Sequence, residues 1–236
     1  LWPICEVDAW THNGAQYLHW FGLTDGWYTI DGGGTELLRY SRRLIDAKPE
    51  WRWRTPYFDY QVARLYEDVL TLLPHALDPI PSDLFELVCT PAAETALRER
   101  AYRWEDKYWP PRANDSPKAR RKDHEAVEFW NKASGWWWIE RHLSSGHMPG
   151  QPTIAFWSEE SSLHIRWTND CGLEESTGLP WSDLRDGQHT MPVTQFMEEV
   201  RSFHDRLMSA MQERLEIART CWPRPDVAID VEELPA

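Results

Sequence analysis

The sequence predicts an α+β fold in which antiparallel β-hairpins, the first extended into a β-meander, pack against amphipathic helices, with a long helix near the C-terminus. Two segments rich in aromatic and β-branched residues, near 17–40 and 153–167, contain turn signals. Apolar residues recur at helical spacing near 58–73 and 194–220. The hydrophobic content of 42% and charged content of 27% are those of a globular protein. We therefore expect residues 1–236 to form one domain with a loose acidic tail at about 223–236.

The first β-hairpin is predicted around the Asp-Gly pair at 25–26. Tyr17–Leu23 precedes this pair and Trp27–Asp31 follows it, and both segments are rich in aromatic residues. This pattern is typical of two antiparallel strands joined by a tight turn. After a glycine loop at 32–34, Thr35–Tyr40 is predicted to form the third strand of a meander.

Three helices are predicted between the two hairpins. Apolar residues at helical spacing predict an amphipathic helix over 58–73, which Pro74 is expected to end. Thr90 is a candidate N-cap for a second helix over Pro91–Tyr108. A third helical face runs from about 124 to 143.

The second hairpin is predicted from Thr153–Trp157 and Ser162–Trp167, which a polar turn connects. In the second strand apolar residues alternate with His164 and Arg166, so we expect one buried face and one face in water. Thr194–Thr220 then predicts a long amphipathic helix. The sequence leaves open whether the two hairpins share one sheet.

Charge and hydropathy exclude several classes of protein. The formal net charge of −13 argues against nucleic-acid binding, because clustered Lys and Arg drive binding to phosphate. The basic run Lys118–Lys122 lacks interleaved aromatic residues and favours a solvated loop. No apolar run approaches the ~20 residues of a membrane-spanning helix. No secretion signal is visible, and what precedes Leu1 stays open.

The sequence indicates no cofactor and no metal. The four cysteines, at 5, 89, 171 and 221, are too far apart for a zinc knuckle or a dense disulfide framework, which favours a reducing cytoplasm. The grouping of Glu140, His142 and His147 matches no common zinc spacing. Because nucleophile elbows and phosphate-binding loops are also missing from the sequence, we assign no catalytic residue.

Aromatic motifs in both halves of the chain resemble a known family. They are Leu18–Tyr28 and Glu36–Tyr40 in the first half, and Ile154–Trp157, Ile165–Trp167, Trp181, Phe196, Glu199, Val200 and Phe203 in the second. In these motifs the chain resembles a bacterial family of unknown function, the domain of unknown function 5984. The resemblance covers nearly the whole chain and implies no activity.

The candidate binding residues are aromatic and charged side chains on or near the predicted hairpins, together with a tryptophan triplet. They are Trp20, Asp25, Trp27, Asp31, Glu36, Arg39, Trp136, Trp137, Trp138, Trp157, His164 and Trp167. The three hairpin carboxylates could share a proton or hold a divalent cation, although turn chemistry already explains the first two. Three consecutive indoles cover about 200° of a helix, so at least one is expected to meet another element, a ligand or a partner.

We expect a non-enzymatic cytoplasmic protein that binds another protein, most concretely an immunity or antitoxin-like protein that neutralises a basic bacterial toxin. The acidic charge and the 16 tryptophans suit such a partner, although acidic charge also serves solubility. One alternative is an enzyme whose pocket residues converge only in the fold, with the charged candidates above as its first residues. Another is a small-ligand binder with a pocket lined by the tryptophans at 20, 27, 157 and 167.

Overall fold

A computed structural model describes residues 1–7, 10–12, 15–51, 55–108, 128, 132, 139–143, 148 and 150–221. The strands are β1 (Trp10–His12), β2 (Ala15–Tyr17), β3 (Asp25–Tyr28), β4 (Phe58–Gln61), β5 (Thr153–Glu159), β6 (Ser162–Thr168) and β7 (Gly187–Pro192). The helices are α1 (Trp20–Leu23), α2 (Arg42–Ala47), α3 (Val62–Leu77), α4 (Ser82–Phe85), α5 (Pro91–Tyr108) and α6 (Val193–Cys221). The chain therefore has the predicted α+β fold.

The described strands form three antiparallel sheets, β1-β2, β3-β4 and β5-β6-β7. The predicted second hairpin is confirmed as β5 and β6, in which Ile154 pairs with Trp167 and Phe156 with Ile165. Its turn is shorter than predicted, and Glu160 adopts the left-handed conformation with φ 52°. Because β3 and the β5-β6 hairpin belong to different sheets, the two predicted hairpin regions do not share one.

The first predicted hairpin is wrong, because Trp20–Leu23 is helix α1 and the Asp-Gly pair lies inside β3, which pairs with β4. His19 starts the helix, since its Nδ1 accepts a hydrogen bond from the Phe21 amide at 3.2 Å. Thr24 ends the helix, donating from its hydroxyl to the Phe21 carbonyl and accepting from the Ala63 amide. These contacts outweigh the local turn signal, and the N-terminal hairpin is instead β1-β2, on either side of an Asn-Gly pair at 13–14.

The predicted third strand over Thr35–Tyr40 is also wrong. Two isolated bridges replace it, one between Asp31 and Glu36 and one between Arg39 and Tyr57. Residues 32–34 form a tight glycine loop between Asp31 and Glu36. Only single residues on either side of it are paired, so no strand forms.

Helix α3 is displaced along the chain from its prediction. Phe58–Gln61 is strand β4, and the helix begins at Val62 and continues beyond Pro74 to Leu77. Proline removes one amide donor and its ring crowds the carbonyl four residues earlier, but the Pro74 carbonyl still accepts from the Asp78 amide at 3.1 Å. In this helix the proline therefore does not end the last turn.

Two helices match their predictions closely. Helix α5 begins at Pro91, and the Thr90 hydroxyl accepts from the Ala93 amide at 3.1 Å as an N-cap. The C-terminal helix is confirmed as α6. Most of the helix predicted near 124–143 and the tail at 223–236 lie outside the described residues, and Ile139–Arg141 forms a short 3₁₀ turn.

Both faces of β5 and β6 are covered, whereas β7 exposes Gln188 and Thr190 on the outer face. On the inner face, Phe156, Ile165 and Trp167 join the core that α3 and α6 complete. On the outer face, Ala155 and Trp157 pack against the segment that carries α4 and α5. The expectation of a wet face on β6 is therefore wrong.

Arg166 is the clearest case of this difference, since it is only 7% exposed. Its guanidinium lies 4.4 Å from the Trp157 ring centroid, donates to the Val88 carbonyl at 2.8 Å and forms an ion pair with Glu94 of α5. A charge with such partners can be buried, whereas sequence alternation alone cannot reveal them.

Candidate functional site

A groove of about 670 Å³ lies between α6, α3 and the inner face of the β5-β6-β7 sheet. Most of its lining is apolar, from Leu65, Val69, Leu72, Phe156, Ile165, Met191, Phe196, Val200, Phe203 and Leu207. Grooves of this size and character are typical of sites for small organic ligands.

Helix α6 forms one wall along much of its length. Its lining residues run from Gln195 to Ala210 and recur every three or four positions, so they occupy one face of the helix. Fifteen residues of α-helix rise about 22 Å. The groove is therefore elongated along the helix axis.

Strand β3 and the loop after it form the opposite wall. Trp27, Tyr28 and Thr29 line the groove. The Tyr28 hydroxyl donates to the Met148 sulfur at 2.9 Å, and burial raises the pKa of Tyr28 far above its usual value. The buried Thr29 Oγ1 has no hydrogen-bond partner among the described residues.

The mouth of the groove is polar. Asp31 accepts a hydrogen bond from the Gly34 amide at 2.5 Å, which fixes the loop. Gly33 has φ +69°, and a Cβ on it would lie 2.2 Å from His189 Nδ1. The imidazole of His189, in β7, therefore lies against the glycine loop. Helix α6 contributes the exposed side chains of Gln195 and Glu199 to the mouth.

The model of a protein family described as a family of unknown function (DUF5984) matches residues 1–236. The chain belongs to this family. No curated protein and no solved structure matches it. The resemblance drawn from the aromatic motifs is confirmed, and what this DUF5984 protein does must be argued from its own groove and surface.

Two of the candidate residues, Trp27 and Asp31, lie on the groove of this DUF5984 protein. Glu36 is bridged to Asp31 through the backbone but does not line the groove. It forms an exposed ion pair of 2.6 Å with Arg39, and the Tyr57 hydroxyl donates to its carboxylate at 3.2 Å. Asp25 begins β3, where its carbonyl accepts from the Trp2 amide. The charged candidates therefore do not converge in one pocket.

The aromatic candidates also separate. Trp157 and Trp167 are buried on opposite faces of the sheet, and the Trp167 indole donates to the Arg185 carbonyl at 2.8 Å. Trp20 packs against a cluster near the N-terminus, and Trp136–Trp138 lie outside the described residues. A pocket formed by the tryptophans at 20, 27, 157 and 167 is therefore wrong.

His164 lies on the outer face of the sheet, away from the groove. Its Nδ1 is 3.0 Å from the Thr190 hydroxyl and its Nε2 is 3.9 Å from the Glu159 carboxylate. Burial lowers the pKa of His164 despite the nearby carboxylate.

The carboxylate of Glu174 is engaged by neighbouring side chains. Burial of Glu174 opposes its ionisation, yet hydrogen bonds from Thr177 and Ser176 hold the pKa of Glu174 at about 2, and Lys48 lies at 3.2 Å.

Among the described residues no group of three or more His, Cys, Asp and Glu side chains could hold a metal ion. Nor does the described part contain a helix that is long and apolar enough to span a membrane.

Sequence reasoning missed His189, Thr29 and Arg206 as lining residues. Strand β7 reads Gly-Gln-His-Thr-Met-Pro, which has too few apolar residues for a strand signal. The apolar stripe of α6 is the signal in the sequence for this wall, since Phe196, Val200 and Phe203 line the groove.

Proposed function

We propose that this protein is a non-enzymatic binding protein and that the groove along α6 takes a small molecule with an elongated apolar body. The observation that carries the proposal is the groove itself, an open and mostly apolar cleft along α6 beside the core that α3, α6 and the sheet form. Clefts of this size with a mostly apolar lining and a few polar groups are typical of small-molecule sites.

The polar groups around the groove favour binding over catalysis. They are Asp31, His189, Glu199 and Arg206. Asp31 accepts from the loop and Arg206 donates to the Ser202 hydroxyl at 2.9 Å, and among the described residues none of the four is hydrogen-bonded to another. A catalytic base normally has an orienting partner, so these groups are better suited to recognising a ligand.

Val200→Phe tests the proposal, because Val200 lies on the groove near the middle of its α6 wall. Arg201→Phe is the matched control, since Arg201 is exposed on the other side of the helix. We expect the wild type and Arg201→Phe to bind the neutral dye Nile red with equal affinity. Val200→Phe should bind it at least about tenfold more weakly, a loss of roughly 1.4 kcal/mol. Equal binding by both variants would contradict the proposal.

A basic protein partner is a second candidate, favoured by the surface of α4. Leu84 and Leu87 are 39% and 36% exposed there. The exposed carboxylates of Asp83 and Glu86 flank them, and Glu160 lies on the nearby β5–β6 turn. An apolar centre with an acidic rim suits a basic partner, and the toxin-neutralising role expected from composition would use this surface.

The test is a native pull-down with the whole chain at moderate and high salt, followed by mass spectrometry. We expect a stoichiometric basic protein that is lost at high salt and lost from an Asp83→Lys/Glu86→Lys variant. If the Asp83→Lys/Glu86→Lys variant still captures the partner, the α4 surface is not its binding site.

A further inference from the structure

We propose that strand β7 pairs with β7 of a second copy of this chain, which joins the two three-stranded sheets edge to edge. Three features of the sheet support this partner. The opposite edge is covered, the outward backbone groups of β7 have no partner among the described residues, and β7 carries no charged residue. None of these features depends on a ligand in the groove.

The β5 edge of the sheet is covered by the chain itself. The Leu143 amide donates to the Ile154 carbonyl at 2.9 Å, and the Ile80 amide donates to the Ser158 carbonyl at 3.0 Å. The β7 edge differs, because no residue of Gly187–Pro192 is buried and β6 is the only strand that pairs with β7 in the described part of the chain. An open edge of this kind is a template for pairing with another strand.

The register of the sheet shows which backbone groups of β7 point outward. The Val193 amide donates at 2.9 Å to the carbonyl of Ser161, which the β6–β7 register places opposite it. Backbone groups alternate between the two sides of an antiparallel strand, so those of His189 point toward β6, while those of Gln188 and Thr190 point away. No hydrogen bond from any described residue reaches these outward amides and carbonyls.

The outward groups of β7 are self-complementary. When two copies meet antiparallel with Gln188 of one opposite Thr190 of the other, each outward amide faces a carbonyl, and all of these groups are paired. His189 then lies at the two-fold axis, opposite the same residue of the second copy. Because His189 and Met191 also line the groove, the second copy extends the sheet beside the mouth of the groove.

The charge of β7 favours a second copy over a basic protein at this edge. The strand contains no Asp, Glu, Lys or Arg, although charged residues often protect an open edge, and its proline is the last residue. Two copies therefore bring these strands together without like charges opposite each other, even though each chain carries a net charge of −13. A basic partner finds no carboxylate on this strand.

The size of the edge determines the strength of the expected dimer. The six residues of β7 form a strip about 20 Å long and about 10 Å wide. Pairing along this strip buries less than the roughly 1,200 Å² of a standard interface, and smaller interfaces are weak or transient. We therefore expect a dissociation constant on the order of 10–100 µM.

Sedimentation equilibrium of the whole chain from about 5 to about 500 µM tests the proposal. We expect wild type and Gln188→Ala to dimerise equally, and Gln188→Pro to dimerise at least about tenfold more weakly. Proline removes the outward amide and puts a ring carbon in its place, while the hydrogen bonds to β6 remain. Added salt should leave the wild-type dimer intact or strengthen it, because the two acidic copies repel each other.

Hydrogen exchange of single amides in wild type tests the same register without a substitution. At high protein concentration the amides of Gln188 and Thr190 should exchange more slowly, whereas the His189 amide, which points toward β6, should not change. Wild type that stays monomeric at about 500 µM would overturn the second copy and leave the edge to a segment of another protein. A dimer that Gln188→Pro forms as tightly as wild type, or one that high salt dissociates, would also overturn it.

Discussion

His189 and Gly33 meet at the mouth of the groove, where the shape of the site depends on the absence of a single carbon atom. Gly33 combines a left-handed backbone, φ +69°, with a Cβ position that lies 2.2 Å from the imidazole. Neighbouring Gly34 is also left-handed, φ +91°, but a Cβ there would meet nothing within 4 Å. Alanine at either position would strain the backbone, but only alanine at position 33 would also contact the imidazole ring.

Gly33→Ala should destabilise the fold and also move the His189 ring. Both Gly33→Ala and the control Gly34→Ala should lose about 1–2 kcal/mol of unfolding free energy, because Cβ is disfavoured in the left-handed region. Only Gly33→Ala should shift the His189 imidazole signals in NMR spectra. Identical imidazole spectra in the two variants would contradict the contact.

At the scale of elements, the Arg166–Glu94 ion pair attaches α5 to the outer face of the sheet. Glu94 is 5% exposed, whereas Glu99, one turn further along α5, pairs with Arg103 at the surface. Removing one partner of a buried pair leaves an uncompensated charge, while an exposed pair contributes little.

We expect Glu94→Gln to lower the free energy of unfolding by about 3 kcal/mol and Glu99→Gln to lower it by less than about 0.5 kcal/mol. Urea denaturation of the two variants measures the difference. Comparable losses in both variants would mean that the buried charge of Arg166 does not need Glu94 as its partner.

The elements that the sequence predicts correctly are those with strong local periodicity. Helix α6 and the β5–β6 hairpin carry the pattern along their whole length, and the Thr90 cap with Pro91 locates the start of α5. The predicted first hairpin is wrong because the residues of β3 pair with residues of β4 that are 30 to 36 positions away, and a local turn signal cannot report that pairing. The groove forms where α6 packs near the sheet and α3, and the sequence does not predict this packing. It shows only the apolar stripe of α6.

At the scale of the whole molecule, stability should depend on pH through Asp68 of α3. Burial raises the pKa of Asp68 from 3.8 to about 6, against the favourable charge of Arg64. Between these two values the folded state binds more protons than the unfolded state. The contribution of Asp68 to the free energy of unfolding therefore falls as pH rises through this window.

Asp68→Asn removes this dependence. We expect the variant to gain stability relative to wild type as pH rises from about 4 to 6, a window set by the two pKa values of Asp68. Glu67→Gln should show the same trend more weakly, because the charge of Glu67 also raises the pKa of Asp68 and its removal reduces that shift only in part. Thermal unfolding across this pH range measures both, and parallel curves for wild type and Asp68→Asn would refute the assignment.

If ligands bind between α6 and the sheet, hydrogen–deuterium exchange with and without saturating Nile red locates the site. We predict slower exchange in 193–210 of α6 and in 25–36 on the opposite wall, with no change in 91–108 of α5. Protection confined to α4 and α5, or absent throughout, would contradict the groove as the binding site.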